Sequence, residues 1–266
     1  MNILSRELRS NLRGLLVWAL TLALLNLLLI AVYPSMAADK EALDELMELF
    51  PEAMIRMFGM EKLSMADPIG FYGVEAYFMV VLFGGIYAAI LGSGILAKEE
   101  DDKTIEFLLA KPVSRSQVIV EKLLAWILNI IALNLIIGLL SWLSFEIFVA
   151  EDFSRLTLFW MLLAPLLVHL FLAALGFFTA LFFTRRKSSL SVSIGLVLGL
   201  YFINTIGQLS EKVKFLSWLT PFRYMDAGDI FADGTINPLY ALLLLAASAA
   251  IVAATWLLYQ RRDIAA

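Results

Sequence analysis

Few residues in this chain carry chemistry. There is one histidine, His169, and no cysteine, so neither a multi-histidine nor a thiolate metal site can be built within it. Met54, Met57 and Met60 recur every three residues. Thioethers suit soft Cu(I), but methionines at this spacing also make an adaptable apolar face, and packing is the favoured reading. Gly92-Ser93-Gly94 places a serine between glycines but lacks the G-x-S-x-G pattern of a nucleophile elbow. No glycine precedes a lysine, so the chain holds no phosphate-cradling G-x-x-x-x-G-K-[ST] loop. Aspartate is absent from the interior of every long apolar run, which excludes an aspartyl protease within the membrane. Among the polar residues in or beside those runs, Asn26, His169, Asn204 and Gln208 are the candidates. An ionisable residue inside a membrane is a functional candidate by default. The alternative for His169 is a neutral ring bonded across the bundle to Asn129 or Asn134.

The elements that hold these residues follow from composition. Of 266 residues, 61% are hydrophobic and 17% charged, with a mean hydropathy of +0.86. Soluble domains run at about 45–50% apolar and about 25% charged. A soluble globule, a disordered chain and a fibrous repeat are all excluded. A net charge of −4 argues against a nucleic-acid binder. A bilayer core needs about 20 apolar helical residues, and six such runs occur, at 15–33, 71–96, 123–148, 156–184, 190–207 and 239–259. The expected fold is an all-α polytopic membrane protein with six transmembrane helices. Placing the N-terminus inside puts 13 lysines and arginines in the cytoplasm against 7 outside, so both termini are expected to be cytoplasmic. The first run is too long for a signal-peptide core and is expected to stay uncleaved, although Ser35-Met36-Ala37 resembles a cleavage site.

The segments between the spans differ in kind. Around residues 1–14, Leu4, Leu8, Leu12 and Leu15 recur at helical spacing with Arg6, Arg9 and Arg13 between them. They are expected to form an interfacial helix that turns into the first span. Residues 35–70 form the largest outer loop, with eight acids and three bases, and apolar residues at helical spacing predict one or two amphipathic helices there. The outer loop 208–238 carries Trp218, Phe222 and Tyr224 beside Pro221, which reads either as a short element dipping into the interface or as an ordinary aromatic belt. Gly84, Ala88 and Gly92, with Gly195 and Gly199, set small residues four apart for close helix approach.

The cytoplasmic segment 97–117 is the most informative. An acidic run leads to Thr104, and Ile105, Leu108 and Leu109 then share one helical face. Pro112 ends that helix, and Ser114 can cap the next. A short apolar-faced helix on the surface is suited to dock into a groove on another protein.

Glu100, the run Thr104-Ile105-Glu106-Phe107-Leu108-Leu109, then Pro112-Val113-Ser114-Arg115 and Lys122 resemble the signature of ABC-2 type transporter permeases. Lys103 stands where that family usually has glycine. The resemblance implies the transmembrane subunit of an ATP-driven exporter in the plasma membrane. It implies a separate ABC ATPase subunit, present as a dimer and carrying ATP and Mg, and a second permease copy or paralogue. Glu100, Thr104, Ile105, Glu106, Leu108, Leu109, Pro112 and Arg115 would form the ATPase-coupling helix, and the pathway would run beside spans one, two and five. Apolar spans and an acidic outer surface suit a hydrophobic or amphipathic cargo, such as a drug, lipid or antimicrobial peptide. The competing classes are a self-sufficient secondary transporter or channel, and a non-transporting immunity or scaffold protein. With no ATPase motif, the chain is not expected to be an enzyme.

Overall fold

Backbone groups in hydrocarbon have no water to bond, so a long apolar run satisfies them only as a helix or a closed barrel. In this chain they are helices. The computed structural model describes residues 3–38, 49–57, 59–101, 114–183 and 185–261. Six helices in it are long and apolar enough to cross a membrane: Ile3–Ala37, Pro68–Lys98, Arg115–Phe148, Arg155–Phe182, Arg186–Leu209 and Pro238–Arg261, here called spans one to six. No strand occurs among the described residues.

Local signals set the helix ends. Asp67 opens span two by accepting from the amides of Ile69 and Gly70 at 2.8 and 3.0 Å, with Pro68 in the first turn. Span three begins at Arg115, eight residues before its apolar run, because the Ser114 hydroxyl accepts from the Gln117 amide at 3.1 Å. Span two holds a π turn at Gly73–Tyr77 between its α segments Pro68–Tyr72 and Phe78–Asp101.

Span one differs from expectation. It is one uninterrupted helix, Ile3–Ala37, with no turn between the basic stretch and the apolar run. Its buried stripe runs Ile3, Glu7, Leu15, Ala19, Leu22, Ala23, Asn26, Ile30 and Tyr33. Leu12, assigned to the apolar face by its spacing, is 48% exposed. The apolar stripe of the span extends backward at 3.6 residues per turn and reaches Glu7 instead.

Span two is the centre of the bundle, with 78% of its most apolar window buried, against 33%, 22% and 11% for spans one, five and six. It packs mainly on spans four and five, span one packs on span three, and span six packs on span four. The glycines of span two explain its central place. A Cβ on Gly92 would lie 2.1 Å from the carbonyl oxygen of Ala173, and one on Gly176 would lie 2.4 Å from that of Ala89. Spans two and four therefore cross with their backbones touching. Gly195 and Gly199 do no such work: no atom lies within 4 Å of where their Cβ would sit.

The outer loops are helical in part. The described residues of the first include the helix Glu52–Met57. The second folds as a 3-10 helix Glu211–Leu219, then Pro221–Tyr224 and Ala227–Asp233. Trp218, Tyr224 and Tyr240 form a T-shaped cluster, and the Arg223 guanidinium lies 5.0 Å over the Trp218 ring.

Candidate functional site

The end of span five at Leu209 is where two of the sequence candidates meet. Asp226 caps the helix Ala227–Asp233 by accepting from the Asp229 amide at 3.0 Å. That cap folds Asp226 back over the span. Gln208 Nε2 donates to Asp226 Oδ2 at 3.2 Å, and Asn204 Oδ1 lies 3.1 Å from the Thr220 hydroxyl. Asn204 and Gln208 line a cavity of about 80 Å³ with Tyr77, Tyr201 and Asp226. An adjoining cavity of about 200 Å³ shares Gln208 and Asp226 and adds Lys62, Arg223 and Asp229. Tyr77 is held by a hydrogen bond from its hydroxyl to the Met225 carbonyl at 2.6 Å.

The charges around this cleft are arranged in order. Asp229 pairs with both Lys62 and Arg223. Burial pushes its carboxyl up, but the bonds and charges of Lys62 and Arg223 outweigh burial and hold it below the ordinary value. The hydrogen bond to Asp229 raises Lys62. Asp226 goes the other way: burial raises it, the Asp229 charge adds to that, and Arg223 and Lys62 only partly oppose. The signs differ accordingly. Asp229 contributes stability above its unfolded value, about 3.9, and the contribution is lost as pH falls through its lowered value. Ionised Asp226 is disfavoured by the fold, and protonation stabilises it as pH falls through its raised value. Asp229→Asn is therefore expected to destabilise the chain by about 1–2 kcal/mol at pH 7. Asp226→Asn keeps the cap through its Oδ1, and its NH2 donates to Gln208 once that side chain turns its Oε1 inward, so the variant is expected to match or exceed wild type. Melting temperatures in detergent decide this; the reverse order of the two variants would refute it.

The other two pathway candidates lie elsewhere. His169 is fully buried between spans four and two, and its Nε2–H donates to the Val80 carbonyl at 3.1 Å. Its partner is thus on span two, not Asn129 or Asn134 of span three. Gly84 makes the slot, since a Cβ there would lie 2.4 Å from His169 Cε1. Asn129 and Asn134 donate to their own helix, at Ala125 and Ile130, at 2.7 and 2.8 Å. Asn26, buried in span one, likewise donates to Leu22 at 2.8 Å. The four candidates do not converge on one site.

At the opposite end of the bundle, the start of span three is tied to three other spans. The Leu4 amide donates to Glu121 at 2.9 Å. Lys122, 1% exposed, donates to the Ile95 carbonyl of span two. Arg115 and Ser116 hold Gln260 of span six, at 3.4 and 2.7 Å. The starts of spans one and three and the end of span six therefore share this end. Glu100 falls in the last helical turn of Phe78–Asp101. Thr104, Ile105, Glu106, Leu108, Leu109 and Pro112 lie outside the described residues. Of the basic stretch, Arg6 bonds Glu7 at 3.1 Å, and Arg9 and Arg13 are exposed. Of the methionines, Met54 is exposed, Met60 packs against the apolar core, and Met57 ends the short helix of the first outer loop.

The family model described as ABC-2 family transporter protein matches residues 1–264. The chain belongs to this family. It is a multi-pass transmembrane component of a transport system. A search of curated proteins found no match to the chain. In this ABC-2 chain the sequence signature falls between two well-anchored helix ends, the last turn of span two and the Ser114 cap of span three. Sequence reasoning missed Glu7, Lys122 as a buried group, and the Asp226–Asp229 pair. Glu7 had one signal, an acid in the midst of three arginines. Asp226 had another, the spacing of a helix cap.

Proposed function

We propose that the chain is the permease subunit of an ATP-driven ABC exporter in the plasma membrane. Two permeases, identical or paralogous, pair with two separate ATPase subunits that carry ATP and Mg. The cargo is hydrophobic or amphipathic. The observation that carries this reading is the anchoring on either side of residues 102–113. Lys122 on span three holds the Ile95 carbonyl on span two, and Glu121 and Ser116 join spans one and six to the same helix start. A partner pushing on the segment would move one tied unit of four spans rather than a loop. ATP acts in this reading by biasing two arrangements of the bundle, and it shifts them only by its differential affinity through the ATPase. The coupling helix is Thr104–Lys111, with Glu100, Pro112 and Arg115 at its borders. Asn204 and Gln208 line the pathway at its outer end, and Arg6, Arg9 and Arg13 hold the start of span one near the lipid headgroups.

The test is co-purification of the tagged full chain in mild detergent, with the stoichiometric partner sequenced by mass spectrometry. A partner with a G-x-x-x-x-G-K-[ST] loop is the expected result. Isolation of the chain alone, reproducibly and in several detergents, would overturn the reading.

A further inference from the structure

A cavity of about 320 Å³ lies between spans one, two and five at the end of the bundle where span one begins. Its lining includes Glu7, Ser10, Trp18, Tyr87, Lys98 and Arg186. Two of these, Glu7 and Tyr87, are buried with unmet polar demand, and Arg186 beside them is exposed. The Glu7 side chain is 1% exposed, yet its Oε2 has no hydrogen-bond partner and the Lys98 ammonium stays 3.9 Å away. Lys98 is engaged instead with the Ser10 hydroxyl at 2.9 Å. The Tyr87 hydroxyl is buried and has no partner either. Arg186 makes no ion pair among the described residues, and its guanidinium reaches toward Gly94, 3.5 Å from where a Cβ would be. Buried polar groups of this kind are normally satisfied, and each one left open calls for a ligand or an ordered water.

The cavity is graded along span one. Glu7 and Trp18 are eleven residues apart in one helix, or about 16 Å along its axis. Glu7, Lys98 and Arg186 sit at the end nearer the start of span one. The Trp18 and Tyr87 rings, 5.8 Å apart, sit farther along the span. Spans one and five flank it, and both are largely uncovered on the lipid side, so a molecule in the bilayer reaches it laterally.

We propose that this cavity binds the headgroup of a membrane phospholipid that carries both a phosphodiester and a hydrogen-bond donor. The phosphodiester meets the Arg186 fork, which suits phosphate oxygens. A headgroup amine or hydroxyl donates to Glu7 Oε2. The apolar neck of the lipid lies on the Trp18–Tyr87 pair. Phosphatidylethanolamine and phosphatidylglycerol have such a donor. Phosphatidylcholine has a quaternary ammonium and no N–H or O–H, and leaves Glu7 unmet. The proposal uses the membrane placement of the chain and not its coupling to an ATPase, so failure of the co-purification test leaves it standing.

Native mass spectrometry of the full chain, purified with whatever subunits accompany it and titrated with the three lipids at matched acyl chains, tests it. Wild type should retain the ethanolamine and glycerol lipids at least about tenfold more tightly than the choline lipid, the scale of one charged hydrogen bond. Glu7→Gln should erase that difference. Arg186→Gln, at an exposed position that leaves the fold intact, should weaken all three lipids. Equal retention of the three lipids by wild type would overturn the proposal, as would wild-type binding by Arg186→Gln. Release of bound phosphatidylethanolamine by inorganic phosphate alone would assign the cavity to a free anion and overturn the lipid assignment.

Discussion

Gly92→Ala is expected to deprive the chain of its fold. The added methyl would sit 2.1 Å from the Ala173 carbonyl oxygen and 3.0 Å from the Phe177 amide nitrogen. Both are backbone atoms in the middle of span four, so no side chain can turn aside. Either the two helices separate or the methyl is not accommodated. Separation would also open the reciprocal contact of Gly176 with Ala89 and the slot in which His169 reaches Val80. Overpacking of a core that can adjust costs about 1–3 kcal/mol. Here the obstacle is backbone, and the expected loss is about 3 kcal/mol or more, visible as a collapse of monodisperse protein and of the melting temperature in detergent. Gly195→Ala is the matched control. It adds the same methyl to open space on span five and improves helix propensity by up to about 1 kcal/mol. The two variants share a residue type and a membrane setting, and differ only in what faces them. A Gly92→Ala chain that melts with wild type would refute the backbone contact on which the bundle is built.

Leu108→Asp is expected to abolish transport-coupled ATPase activity while the permease accumulates and folds as wild type. By its spacing, Leu108 is expected to share a helical face with Ile105 and Leu109 in the segment that resembles the family signature. Burying a leucine in a partner's groove contributes about 1.5–3 kcal/mol, and a carboxylate in its place adds a desolvation cost. Leu108→Met keeps apolar bulk and should retain coupling. Because spans one, two, three and six are tied at the base of this segment, loss of the proposed docking would remove the partner's hold on all four together. The readout is substrate-stimulated ATP hydrolysis of the purified complex, with the melting temperature of the permease as a check on folding. Normal stimulation in Leu108→Asp would sink the coupling-helix assignment.

Much of the architecture is legible from residue types in order. Six apolar runs had to become six helices, because hydrocarbon leaves the backbone no other partner. Asp67-Pro68 marked the start of span two, and Ser114 marked that of span three, because caps act within one turn and need no tertiary contact. The signature from Glu100 to Arg115 pointed to the family that the full-length match establishes. Leu4, Leu8, Leu12 and Leu15 are spaced for one helical face, and Leu4 and Leu15 do pack inward, but Leu12 is exposed because which side of a helix is covered depends on its neighbours. The same limit applies to the glycines. Gly92 and Gly195 stand in similar four-residue patterns, and only the packed bundle separates a backbone contact from open space.

The sequence by itself determined that this is a six-span membrane protein of the ABC-2 kind, and which residues cap the starts of spans two and three. Those properties follow from local forces, namely hydrophobic run length, capping and turn chemistry. Only the tertiary structure decided which polar residues meet. It placed Asn204 and Gln208 against Thr220 and Asp226, gave His169 to Val80, buried Glu7 beside Lys98, and set Asp229 between Lys62 and Arg223. Three of those pairs, His169 with Val80, Glu7 with Lys98 and Asp229 with Lys62, join residues far apart in the chain, and no local force encodes which distant partner a buried polar group finds.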